Sequence, residues 1–263
     1  MQLMNAIGYQ GIFEAAGHKL NDIGGVMLWK LNAAFPSVVW QVYDWYLQTN
    51  AGYYFMQNAC EPVHIQLNLA TNKVTVLNRT YKPSPGLVAH ADLYNMNSEL
   101  LFHEEKKVSL GPSDVKETSA IGPRLAKSKE LVFVVLKLKN ASGNTVSNNI
   151  YWISPDNNYS QMSGMKETSV NIKITDEKKE KNDISWTMEI SNPSGMLAFF
   201  IRPQIMSGGE EVLPSMWSAN YISLAPGEST VVNVTCPLAR LKEGTPSVKV
   251  SGWNVKSVEI PVK

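Results

Sequence analysis

The chain carries four histidines, His18, His64, His90 and His103, and two cysteines, Cys60 and Cys236. Imidazoles and thiolates hold transition metals or serve as base and nucleophile. The spacing here points to neither use. The histidines show no ligand pattern and no obvious nucleophile partner. The cysteines lie far apart, and each reads as a buried, unreactive thiol. No metal and no cofactor is expected. Carboxylates are the other source of acid–base chemistry. Glu14 and Asp44 fall in helical patterns, and Glu61 heads a β-rich region. Each reads as a surface carboxylate, a local cap or an ion-pair partner.

The elements that would position these residues change character along the chain. Met4, Ile7, Gly8, Gly11, Ile12 and Ala15 recur at helical spacing. Residues 21–25 form a loop, and residues 26–31 are mostly apolar, as in a strand covered on both faces. Pro36 suits a first helical turn, followed by Val39, Val42, Tyr43 and Tyr46 at helical intervals. Beyond residue 53 the pattern is β. Val63, Ile65, Leu67 and Leu69 alternate with His64, Gln66 and Asn68, which predicts a strand with one buried face. Further strands are expected at 73–77, 87–94, 100–110, 131–139 and 145–153. That number of short strands suits an immunoglobulin-like sandwich. Residues 154–166 are polar and read as a linker. A second sandwich is expected from strands at 170–174, 184–190, 197–206, 221–224, 232–236 and 248–251, with turns at 207–209 and 226–227.

The chain has 263 residues, 44% of them hydrophobic, which suits two compact domains or one large one. Its 24 basic and 23 acidic residues leave a net charge of +1. No strong field draws in nucleic acid or anionic lipid, and neither is expected as a partner. No apolar run is long enough to span a bilayer. The N-terminus shows no signal-peptide pattern.

Specific motifs carry a family resemblance. They are Gly25-Val26-Met27-Leu28-Trp29-Lys30-Leu31-Asn32, Phe35-Pro36-Ser37, Trp40, Tyr43-Asp44-Trp45-Tyr46 and Ala59-Cys60-Glu61-Pro62-Val63-His64. Later come Asn149-Ile150-Tyr151-Trp152-Ile153, Trp217-Ser218, Leu224-Ala225-Pro226-Gly227-Glu228 and Ser251-Gly252-Trp253-Asn254. In this order they resemble glycoside hydrolase family 2, in the branch of the exo-β-D-glucosaminidases and mannosylglycoprotein endo-β-mannosidases. The resemblance implies a mainly β fold: two immunoglobulin-like β-sandwich domains preceded by a helix–strand–helix remnant of a (β/α)8 barrel. The implied boundaries are 1–53 for the seventh helix, eighth strand and eighth helix of the barrel, 54–156 for the first sandwich and 157–263 for the second.

The same resemblance places the family's two catalytic glutamates outside this chain. A retaining glycosidase needs two carboxyls about 5–5.5 Å apart across the sugar. Glu14, Asp44 and Glu61 are not placed to supply them, so no catalytic residue is assigned and the chain alone is expected to be inactive. Trp29 and Asn32 lie near the C-terminal end of the implied eighth strand, where barrel active sites are built. Trp29 matches a family tryptophan in the floor of the sugar site. Its ring would stack on a pyranose, and the Asn32 amide would bond hydroxyls. Trp217 and Trp253 read rather as core or interface residues. The implied partners are β-linked glucosamine or mannose glycans and the rest of the barrel, and an orphaned barrel segment would expose an apolar patch prone to self-association. Relatives in bacteria are usually exported, so export of the parent enzyme is expected. The rival expectation is a stand-alone tandem β-sandwich module that binds carbohydrate or another partner.

Overall fold

The computed structural model describes residues 1–37 and 41–262. Val39 and Trp40 lie outside the described residues. The chain divides into two compact units, Met1–Leu28 with Phe55–Met165 and Trp29–Tyr54 with Lys166–Lys263. The leading segment is thus shared between the units.

In the first unit, α1 spans Gln2–His18. Five strands follow: β1 Val63–Asn68, β2 Lys73–Asn78, β3 Ser84–Tyr94, β4 Leu100–Leu110 and β5 Asp114–Ala120. Helix α2, Ala51–Ala59, precedes them in the chain, and α3, Gly122–Leu125, follows β5. Then come β6 Val132–Lys139 and β7 Thr145–Ile153. One sheet has the order β1-β2-β5 and the other β4-β3-β6-β7. Leu87, Ala89, Ala91 and Leu93 of β3 point inward at every second position. They meet Ile65, Leu67, Val74 and Val76 of the facing sheet in one apolar core, closed by Leu136, Leu138 and Tyr151.

The second unit repeats the plan. Its strands are β8 Asn171–Lys179, β9 Asp183–Ser191, β10 Ala198–Ser207, β11 Glu210–Glu211 and β12 Met216–Trp217. β13 Ile222–Leu224, β14 Ser229–Pro237, β15 Ser247–Ser251 and β16 Val258–Pro261 complete it. One sheet runs β12-β14-β9-β8; the other runs β11-β10-β15-β16, with β13 also on β10. Ile184, Trp186, Met188 and Ile190 form the buried face of β9. The Trp186 indole donates to Glu177 Oε2 at 2.7 Å, so its one polar group is satisfied. Gly208 and Gly209 link β10 to β11 in a two-residue turn, both at positive φ, as a primed hairpin turn requires.

Most expected strands appear, and every ladder joining named strands is antiparallel. Strands β5 and β16 were not foreseen. β5 carries Asp114, Lys116, Glu117, Thr118 and Ser119, with little apolar alternation, and it is held by its ladder to β2. The expected linker contains a short 3-10 turn, Ser160–Gly164, whose Met162 is buried. Gln161 Oε1 accepts a hydrogen bond from the Leu131 amide there.

The barrel-like segment departs most from expectation. Residues 26–31 form no strand. Among the described residues no parallel neighbour lies alongside to complete a ladder, and a lone apolar strand has nothing to satisfy its edges. Met27 is almost wholly exposed. The expected helix after Pro36 is also absent over 41–50. Asp44 Oδ1 instead accepts from the amides of Tyr46 at 2.8 Å and Gln48 at 2.9 Å, closing a tight turn. Isolated bridges tie Tyr43 to Asn32 and Thr49. The helix begins later, as α2, and runs past the expected boundary at residue 53.

Leu136 is fully buried between the sheets of the first unit. Leu136→Ala should destabilise that unit by about 2–5 kcal/mol in a urea unfolding curve.

Candidate functional site

Trp29 and Asn32 both fall on the Trp29–Tyr54 segment of the second unit. The Trp29 ring is 79% exposed, free to present an aromatic face. Asn32 is also exposed, and among the described residues its side-chain amide reaches the neighbouring Ala33 carbonyl, at 3.5 Å. Leu31, Phe35, Trp45 and Tyr46 are exposed on the same segment. On the same segment, Tyr43 packs edge-on to Tyr53 with ring centroids 5.3 Å apart. Burial and the Tyr53 hydroxyl push the Tyr43 hydroxyl up to about 12. Tyr53 continues edge-on to Tyr54, which tilts against Tyr221. Trp217 is buried, as expected for a core tryptophan, whereas Trp253 is about half exposed.

The densest polar chemistry lies in the first unit. The face of α1 that packs is not its apolar stripe. Met4, Gly8, Ile12 and Ala15 are exposed, while Ala6, Gln10, Glu14 and Gly17 are buried. Gly17 is required by the close approach: a Cβ there would lie 2.9 Å from Leu77 Cδ2 and Arg79 Nη2. The surface-carboxylate expectation fails for Glu14, which is only 3% exposed. Its Oε1 accepts from Asn149 Nδ2 at 2.6 Å and Gln10 Nε2 at 3.2 Å. The Tyr151 hydroxyl lies 2.8 Å from each Glu14 oxygen, and also accepts the Leu67 amide at 2.8 Å. Gln66 Nε2 donates to the Glu14 carbonyl at 2.9 Å. The nominally outward residues of β1, His64 and Gln66, are thereby wholly buried. The one-buried-face reading of that strand fails because α1 covers its other side.

His64, Ser147 and Glu61 come together beside this network. The set has the residue types of a hydrolytic triad, but its geometry is different. Serine and carboxylate would flank opposite nitrogens of the imidazole. Here Glu61 Oε2 and Ser147 Oγ both approach Nδ1, at 2.9 and 3.2 Å, while Nε2 faces Glu14 at 3.5 Å. His64 is fully buried, so no substrate reaches it. Burial opposes its charge, but hydrogen bonds to Glu14 and Glu61 outweigh that cost and raise its pKa. When it carries both protons, the ring can donate to both carboxylates. The group is a clamp that seats α1 on the sheet. Asp44 serves as the turn cap described above, as its local-cap reading anticipated.

The remaining histidines also depart from their spacing. His90 and His103 are brought together on β3 and β4, beside Glu105. Their distance in sequence hid this, since only the β3–β4 register sets them diagonally across adjacent strands.

Comparison with known proteins gives these features a context. Residues 71–155 match the mannosidase Ig/CBM-like domain family, and residues 149–255 match the exo-β-D-glucosaminidase Ig-fold domain family. The exo-β-D-glucosaminidase of Amycolatopsis orientalis is 30% identical over 264 residues, covering 92% of this chain and 26% of that protein. The mannosylglycoprotein endo-β-mannosidase of Lilium longiflorum is 23% identical, over 96% of this chain and 33% of its own length. The crystal structure of the Amycolatopsis orientalis exo-chitosanase matches 99% of this chain and 34% of its own, with a TM-score of 0.91 and 26% identity. Over almost its whole length the chain is similar to these glycoside hydrolases, and it carries the Ig-like domains of their families. It spans about a quarter to a third of the length of the curated relatives it matches. The family 2 match extends over the leading segment as well as both sandwiches, because almost no residue is left uncovered.

Two outcomes test the clamp. Glu14→Ala removes the acceptor shared by Tyr151 and Asn149 and leaves His64 facing one carboxylate. It should cost about 3–5 kcal/mol in chemical denaturation. The second concerns pH. A raised histidine pKa stabilises the fold below its unfolded value of about 6.5 and loses that effect as pH rises through the folded value. The stability gap between the native chain and His64→Gln should therefore be widest near pH 6 and narrow toward alkaline pH.

Proposed function

We propose that this chain is the non-catalytic scaffold of a retaining exo-β-glycosidase that removes β-linked glucosamine units, with β-mannosides as the neighbouring substrate class. The observation that carries this reading is the structural match to an exo-chitosanase across 99% of the chain, the leading segment included. The higher sequence identity to the exo-β-D-glucosaminidase than to the endo-β-mannosidase favours glucosamine.

In this reading the two sandwiches support a catalytic barrel, and the acid–base and nucleophile carboxyls stand on barrel strands outside these residues. The leading segment supplies one wall of the sugar site. Trp29 stacks on the C–H face of the pyranose, and Asn32 bonds its hydroxyls. The exposure of both side chains supports this. Leu31, Phe35, Trp45 and Tyr46 are exposed apolar side chains that, in this reading, the remaining barrel would cover. In the chain alone that surface is open to self-association.

The test is hydrolysis of aryl β-glucosaminide and aryl β-mannoside. The chain alone should give no turnover above buffer. In the enzyme that carries these residues behind a catalytic barrel, Trp29→Ala should lower kcat/KM about tenfold or more, with unchanged unfolding. Turnover by the isolated chain, lost on Trp29→Ala, would overturn the scaffold reading.

A further inference from the structure

We propose that His90, His103 and Glu105 form a surface site for a divalent transition metal, of which Zn(II) is the best match. The three side chains come from neighbouring strands of the four-stranded sheet in the first unit. Antiparallel register pairs His90 with Glu105 and Asp92 with His103. On β3, His90 and Asp92 alternate with the buried Ala89, Ala91 and Leu93, so they stand on the outward face. His103 and Glu105 occupy the matching outward positions of β4.

The ligand atoms converge. His90 Nδ1 lies 3.1 Å from Glu105 Oε1, and His103 Nε2 lies 3.4 Å from the same oxygen. All three atoms fall within 4.8 Å of one another. A tetrahedral zinc with bonds of about 2.0–2.1 Å holds its ligands roughly 3.3–3.4 Å apart. Two edges of that tetrahedron already have the right length. The third closes by a small rotation of exposed side chains.

Asp92 supplies a second, independent feature. Its Oδ1 bonds His103 Nδ1. A carboxylate on one ring nitrogen directs the other nitrogen, with its lone pair, toward the metal. That arrangement orients Nε2 to the side where Glu105 stands. Asp92 is itself largely buried, so it is a fixed support rather than a solvated carboxylate. Lys137 of β6 stands opposite His90 in register; burial lowers its pKa, and the charge of Asp92 works against that lowering.

The chemistry of the set selects the cation. Two imidazoles and one carboxylate suit zinc and similar borderline metals. Calcium and magnesium take oxygen ligands and would leave the imidazoles unused. His103 and Glu105 are about half exposed, so water can enter and fill the fourth position. The site is independent of the proposed glycosidase role.

The experiment is calorimetric titration of ZnCl2 into the chain carrying Cys60→Ser, which removes an exposed thiol. One zinc per chain should bind. His103→Asn and Glu105→Gln should each weaken it at least tenfold, and Asp92→Asn roughly tenfold with the stoichiometry kept. Circular dichroism should be unchanged in all three, since the ligands face outward. Cobalt(II) should give the visible bands of a tetrahedral site. The proposal is overturned if zinc fails to saturate, if binding survives both ligand variants, or if calcium and magnesium compete at equal concentration.

Discussion

The first unit depends on how a helix covers a sheet face that is not apolar. β1 presents His64 and Gln66 to α1, and α1 answers with Gln10 and Glu14. Burying these groups unpaired would cost several kcal/mol for each ion. The structure avoids that cost by giving Glu14 acceptor contacts with Gln10, Asn149 and Tyr151, and by placing His64 between two carboxylates. Such a contact is directional. It specifies one seating of α1, whereas an apolar stripe would tolerate sliding. Gly17 adds a steric condition, because its missing side chain lets the helix end approach β2.

This arrangement also explains the outer face of the helix. With its polar stripe turned inward, α1 exposes Met4 and Ile12. The Trp29–Tyr54 segment, described within the second unit, shows a similar imbalance. Tyr43, Tyr53 and Tyr54 are packed, while Trp29, Phe35 and Tyr46 are presented to solvent. Over residues 26–31 apolar side chains sit on an irregular backbone, with no strand ladder among the described residues. Strand geometry needs a neighbour to complete its hydrogen bonds, and an apolar run alone does not supply one.

The sandwiches themselves need no such external condition. Alternation along β3, β9 and β14 sets one face of each strand against the core, and antiparallel neighbours within the same unit satisfy the backbone. Register then has a chemical consequence. On β3 and β4 it sets two histidines and two carboxylates side by side on the outward face. Packing of β1 against β7 of the facing sheet gathers His64, Asn149 and Tyr151 in the buried interior.

The sequence by itself determined the two sandwiches, most of their strands and turns, and the likeness to family 2, because period-two alternation and short motifs are local signals. It also determined the residue types at Trp29 and Asn32. Only the tertiary structure decided that Glu14 is buried rather than solvated, that the polar face of β1 is covered, that residues 26–31 form no strand, and that His90 meets His103. Each of those outcomes depends on a partner far away in sequence. A helix pattern does not state which face will find a neighbour, and an apolar run does not state whether a second strand is there to complete its hydrogen bonds.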